Sequence, residues 1–182
     1  MTPDVYQACI ELEQYNDIIF QKKPDEGRMK GLAFVLDPDG YWIEVIHRNK
    51  ESTLTIPNKY TLAQTMYRIK DPKKSLPFYC NILGMTLLYE KHMSDFSLYF
   101  LATLSEEEKV AYAGLEPTST EAADFVKNRF NPVIELTHNH GTENNEDFKL
   151  VYTYYTFVCI IVYDIQLCHI YSTYTPLYVL CI

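Results

Sequence analysis

Three polar residues stand where the surrounding pattern calls for strands: Glu44, Gln64 and Glu135. In Tyr41-Trp42-Ile43-Glu44-Val45-Ile46 a period of two puts Trp42, Glu44 and Ile46 on one face and Ile43 and Val45 on the other. A carboxylate that shares a face with a Trp and an Ile must reach water at a sheet edge or find a partner, because burying it alone is costly. Gln64 alternates with Leu62, Met66 and Arg68, and Glu135 with Val133 and Thr137. Each of the three, taken singly, reads as a solvated strand position. Taken together, two carboxylates and an amide without Cys form an oxygen-rich donor set, suited to an octahedral, water-retaining divalent ion rather than to a structural zinc. The five cysteines are scattered with no C-x-x-C pair, so neither a disulfide framework nor a zinc finger is indicated.

The elements that must position these residues repeat. Asp37-Pro38-Asp39-Gly40 suits a type I turn joining the apolar run Leu32–Leu36 to the strand that carries Glu44. Before it, Thr2-Pro3-Asp4 reads as a helix start with Thr2 as N-cap. Val5, Ala8, Cys9 and Leu12 follow at helical spacing, and the helix is expected to run to about Asn16. A short strand at Ile18–Phe20 and a charged loop from Lys22 to Lys30 complete the order helix, strand, strand, strand. The second half gives a strand at Leu62–Ile69, then Asp71-Pro72 as a cap with Pro, with Leu76, Tyr79, Cys80 and Leu83 at helical spacing before Gly84. Strands follow at Met85–Tyr89, Phe96–Ala102 and Val133–Thr137, interrupted by an acidic helical excursion from Glu106 to Phe130. Superposing the halves puts Glu44 and Glu135 at equivalent places in the last strand of each. It also implies that the first half is truncated, its opening strand falling before Met1.

Composition bounds the partners. A net charge of −8 and the lack of any Lys/Arg-rich block argue against nucleic acid. The N-terminal dozen residues are polar and acidic, unlike a signal peptide, so a reducing, cytoplasmic compartment is expected. Residues 150–182 contain no Lys, Arg, Glu or Gly, yet Asp164, Gln166 and His169 interrupt the apolar stretch, so a membrane span is not expected. This tail reads either as translated intron sequence, with the GT of a splice donor inside the Val151 codon, or as a divergent exposed tail.

The motifs resemble a known family. Gln64 through Leu76, Phe78-Tyr79, Leu83–Leu87, Phe96–Leu101 and Glu135-Leu136-Thr137-His138-Asn139 are similar to the first module of the glyoxalase I (lactoylglutathione lyase) family. Thr2–Tyr6, Lys22–Asp25, Met29–Phe34 and Asp37–Glu44 are similar to its second module. The resemblance implies an α+β fold of paired βαβββ modules, the vicinal-oxygen-chelate architecture. It gives the chain residues 1–50 as a truncated second-type module, 51–61 as a linker, 62–148 as a first-type module and 149–182 as a tail that it does not cover. A second-type module ahead of a first-type one is the order expected in the middle of a tandem-fused enzyme.

The same resemblance implies the chemistry: metal-dependent isomerisation of the hemithioacetal of methylglyoxal and glutathione to S-lactoylglutathione. The metal would be zinc, or nickel as in some members, with glutathione as co-substrate. Gln64 and Glu135 would be ligands from one module and Glu44, ligand and catalytic base, from the other. The family's fourth ligand, a His, belongs to the opening strand not present here, and His47, His92, His138 and His140 do not take its place. Arg68, roughly 13 Å from Gln64 along the strand, would hold a glutathione carboxylate. Asn139, Arg28 and Met29 match further substrate-contacting positions, although Arg28 stands where Lys is common and His140 where Trp is usual. A second copy, fused or as a dimer, is the expected macromolecular partner. The rival expectations are a non-catalytic ligand-binding module of the same fold and an inactive truncated product.

Overall fold

In each half of the chain a helix packs on one face of a sheet and the opposite face carries polar side chains, part of which the inserted helices cover in the second half. The computed structural model describes residues 1–2, 4–47 and 60–149. These fall in one compact unit, Met1–Leu150. The proposed tail beyond Lys149 and nearly all of the expected linker lie outside the described residues, as do Pro3 and Arg48.

The first half runs α1 (Val5–Leu12), β1 (Ile19–Lys22), β2 (Ala33–Leu36) and β3 (Trp42–Val45), with sheet order β1-β2-β3. The N-cap of α1 is Asp4, not Thr2: the Asp4 carboxylate accepts from the Gln7 amide at 3.0 Å. Thr2 instead forms a parallel bridge to His47, its amide donating to the Ile46 carbonyl at 2.9 Å. The Thr hydroxyl and the Asp carboxylate both suit a cap, and the spacing to Gln7 selects Asp4. The helix stops at Leu12, short of Asn16, and Val5, Ala8 and Cys9 pack against Ala33, Val35 and Val45. Full burial of a valine side chain stabilises by about 1.5–3 kcal/mol. The Asp37–Gly40 turn forms as read. Gly40 donates to the Asp37 carbonyl at 3.0 Å and adopts φ +86°, and the Asp37 carboxylate accepts from Asp39 and Tyr41 amides.

The second half is β4 (Gln64–Ile69), α2 (Pro72–Pro77) running into a π-helical turn (Phe78–Ile82), β5 (Thr86–His92), β6 (Phe96–Ala102), α3 (Glu106–Tyr112), α4 (Thr120–Asn128) and β7 (Val133–Asn139). Sheet order is β4-β7-β6-β5, with β4 parallel to β7. Asp71 caps α2 from the same backbone geometry as Asp4, accepting from Lys73 at 2.9 Å. Pro77, inside the helix, has no N–H for the preceding turn, and the helix widens directly after it, Leu83 donating to the Phe78 carbonyl. Ile69, Tyr99, Leu101 and Leu136 form the core beneath α2, while α3 and α4 cover β5 through Leu88, Leu104 and Val126.

The registers make the two halves equivalent. Glu44 lies opposite Phe34 and Glu135 opposite Phe100, and the parallel partner of the opening segment is His47 in one half and His138 in the other. Thr2, β3, β2 and β1 therefore follow the same spatial order as β4, β7, β6 and β5. Among the described residues no helix is long and apolar enough to cross a membrane.

Candidate active site

Because Ala33, Val35 and Val45 turn toward α1, Phe34 and Glu44 turn away from it. In the second sheet Ile69, Tyr99, Leu101 and Leu136 turn toward α2, so Gln64, Arg68, Glu135, Thr137 and Asn139 take the other face. The faces opposite α1 and α2 bring Glu44, Gln64 and Glu135 together. Gln64 Nε2 donates to Glu135 Oε2 at 2.5 Å and reaches Glu44 Oε2 at 3.4 Å, so one amide spans two carboxylates from different halves of the chain. The other Glu135 oxygen, Oε1, accepts from Thr137 Oγ1 at 3.0 Å.

This is an electrostatically unbalanced cluster. Burial, then the Glu135 carboxylate, raise the Glu44 pKa to about 7, against the weaker opposing pull of Lys22 and the N-terminal amine. Burial also raises Glu135, opposed by the Thr137 hydroxyl, Arg68 and Gln64. Two carboxyls that resist ionising together are stabilised by a shared proton or a shared cation. Among the described residues no group of three or more His, Cys, Asp and Glu forms a metal site. The convergence here is of two carboxylates and an amide, whose half-turn would present oxygen where nitrogen now stands. That donor set fits a divalent ion that takes oxygen ligands and keeps water.

Arg68 and Asn139 also meet: Arg68 Nη1 donates to Asn139 Oδ1 at 3.1 Å. Arg28 reaches Asp95 in the β5–β6 turn at 3.6 Å, and the Asp95 carbonyl accepts from the His140 amide, so this loop of the first half approaches the end of β7 that bears Asn139. Met29 is exposed beside Arg28. The ring of His140 bonds to the Ser97 hydroxyl at 2.8 Å, which His92 also engages at 2.9 Å. His138 pairs with Glu143. These three imidazoles lie on the α2 side of the sheet, away from Glu135. Thr137 was visible in the sequence only as a strand neighbour of Glu135; a hydroxyl two residues along the same face was the available signal.

Residues 61–171 match the Glyoxalase/Bleomycin resistance protein/Dioxygenase superfamily, a span that includes β4, β7 and the residues between them. The chain belongs to this superfamily. It is 40% identical over 151 residues to glyoxalase I of Saccharomyces cerevisiae, covering 80% of this chain and 40% of that protein. To the lactoylglutathione lyase of Schizosaccharomyces pombe it is 34% identical over 142 residues, again covering 40% of the relative. Among solved structures, glyoxalase I from Zea mays superposes with a TM-score of 0.51 at 26% identity, over 77% of this chain and 41% of that one. The chain thus spans about two fifths of the length of the curated relatives it matches. The glyoxalase-fold assignment agrees with the helix-plus-three-strand arrangement seen twice and with the β4-β7-β6-β5 order.

Proposed function

We propose that this chain contributes the metal and substrate residues of a glyoxalase I site, which isomerises the hemithioacetal of methylglyoxal and glutathione to S-lactoylglutathione. The observation that carries the proposal is the Gln64 amide shared by Glu44 and Glu135, two carboxylates on equivalent strands of two glyoxalase-type modules. Burial raises both carboxyls in the metal-free protein, an imbalance that a bound cation would relieve. Glu44, Gln64 and Glu135 would hold the ion, zinc or alternatively nickel, which when bound polarises the vicinal oxygens of the substrate.

The chain's own residues supply the rest. Glu44 would be the base, taking a proton from the carbon bearing sulfur and returning it to the neighbouring carbon. Glu135, held through both oxygens, keeps its place. Arg68 with Asn139 receives a glutathione carboxylate, and Arg28 and Met29 border the same end. Module bounds of 1–50 and 62–148 with a linker at 51–61, a tail from 149, and a cytoplasmic setting with a second copy as partner belong to this reading.

A second reading is a ligand-binding module of the same fold. It is favoured by one fact: among the described residues no His bonds to Glu44, Gln64 or Glu135. Ultraviolet absorbance of the thioester, followed with purified protein loaded with Zn²⁺ or Ni²⁺, separates the two. Metal-dependent thioester formation is the expected result. Glutathione-conjugate binding that survives metal removal, with no turnover, would favour the binding module.

A further inference from the structure

The two equivalent carboxylates are held unequally. Glu135 is 9% exposed and accepts at both oxygens, from Thr137 Oγ1 at 3.0 Å and from Gln64 Nε2 at 2.5 Å. Among the described residues Glu44 has only the 3.4 Å approach of Gln64. The difference originates in the sequence. Thr137 follows Glu135 by two residues on the same strand face and is itself 7% exposed, so its hydroxyl is confined to the vicinity of the carboxylate. The residue that follows Glu44 by two is Ile46, which has no hydroxyl to offer. The registers around Glu44 and Glu135 otherwise match, with a Phe opposite each.

We propose that Thr137 is a positioning residue that fixes Glu135 as the permanent carboxylate of the site, and that Ile46, by offering no hydroxyl, leaves Glu44 free to swing between ion and substrate. The division of labour between two symmetry-equivalent acids is then written two residues downstream of each, rather than in the acids themselves. A carboxylate that is hydrogen-bonded through its second oxygen is oriented and loses less freedom when an ion arrives, which is how outer partners of metal ligands act. Thr137 touches neither ion nor substrate in this account. It works through Glu135, and the inference rests on the metal-site reading given above.

The test is a Zn²⁺ titration by calorimetry into metal-free full chain, comparing wild type with Thr137→Val, Thr137→Ser and Ile46→Thr, with unfolding midpoints measured in parallel. Thr137→Val keeps the shape and removes the donor, and should weaken Zn²⁺ binding about 10- to 100-fold. Thr137→Ser keeps the donor and should restore affinity to within a few-fold of wild type. Ile46→Thr should bind Zn²⁺ more tightly and, in the loaded protein, show a lower kcat with little change in KM. Affinity unchanged in Thr137→Val, or lost equally in the Val and Ser variants, would overturn the role of Thr137. An Ile46→Thr protein identical to wild type in both readouts would overturn that of Ile46. If the wild type itself takes up no Zn²⁺, the metal-site reading fails, a result distinct from a wild type that binds and variants that do not differ.

Discussion

Glu44 and Glu135 occupy the same place in two copies of one motif, yet they face different electrostatics. Glu44 holds its proton up to about pH 7, chiefly because of burial and then because Glu135 is near. For an acid whose folded-state pKa is raised, the folded state binds more protons than the unfolded one between the two pKa values. Stability of the metal-free protein should therefore fall as pH rises from about 4.5 to about 7, by about 3 kcal/mol for this group. Urea unfolding across that range should show the decline, and Glu44→Gln should flatten it. On the proposed function, the same substitution in the metal-loaded protein should lower kcat by about 10²-fold or more, since an amide cannot accept the proton, with a smaller loss of bound metal. Glu135→Gln should show the converse, a larger loss of metal and a weaker effect on kcat. A merely solvated Glu44 would leave kcat unchanged and stability within about 0.5 kcal/mol.

At the scale of elements, the site depends on two helices starting in the right place. Asp4 and Asp71 cap α1 and α2 with matching geometry, and replacing either with Ala should cost about 1 kcal/mol, read as a shift in the denaturation midpoint. The inserted pair α3–α4 is tied down differently. Arg129 grips both oxygens of Glu108, at 2.7 and 3.1 Å, and donates to the carbonyls of Thr103, Asn131 and Pro132. Its side chain is only 4% exposed. Arg129→Met should destabilise by about 3 kcal/mol, because Glu108 loses its charge partner and the three carbonyls lose a donor. Chemical unfolding of that variant checks the figure. The insertion also guards the sheet edge. Pro117 accepts from the Glu90 amide and Tyr112 donates to the Leu87 and Leu88 carbonyls, so β5 is not left open along its length.

For the whole molecule, what could be read in advance was whatever local chemistry dictates. The Asp37–Gly40 turn has Pro and Gly where a type I turn needs them, and strand alternation gave the strand face that each of Glu44, Gln64 and Glu135 takes, though not that those faces meet. The repeat of helix and three strands was legible because the apolar spacing repeats, and the registers opposite Phe34 and Phe100 agree with it. What was not legible needed a partner distant in sequence. Thr2 looks like a cap until His47, just beyond β3, arrives to pair with it, and the π-helical turn follows from Pro77 acting on a helix that the spacing alone would continue. The bonds that Thr137 and His140 make were likewise hidden, since a strand position shows only which face a hydroxyl or imidazole takes, not what it meets there.

The central claim is that Glu44, Gln64 and Glu135 form one divalent-ion centre across two glyoxalase-type modules. An anomalous difference map from crystals of the Zn²⁺-loaded protein, recorded at the zinc absorption edge, tests it most directly. The account predicts a peak about 2.0–2.2 Å from carboxylate oxygens of Glu44 and Glu135, with the Gln64 amide turned to present its oxygen. A peak at His138 and Glu143 or beside His92, with none between Glu44 and Glu135, would contradict it.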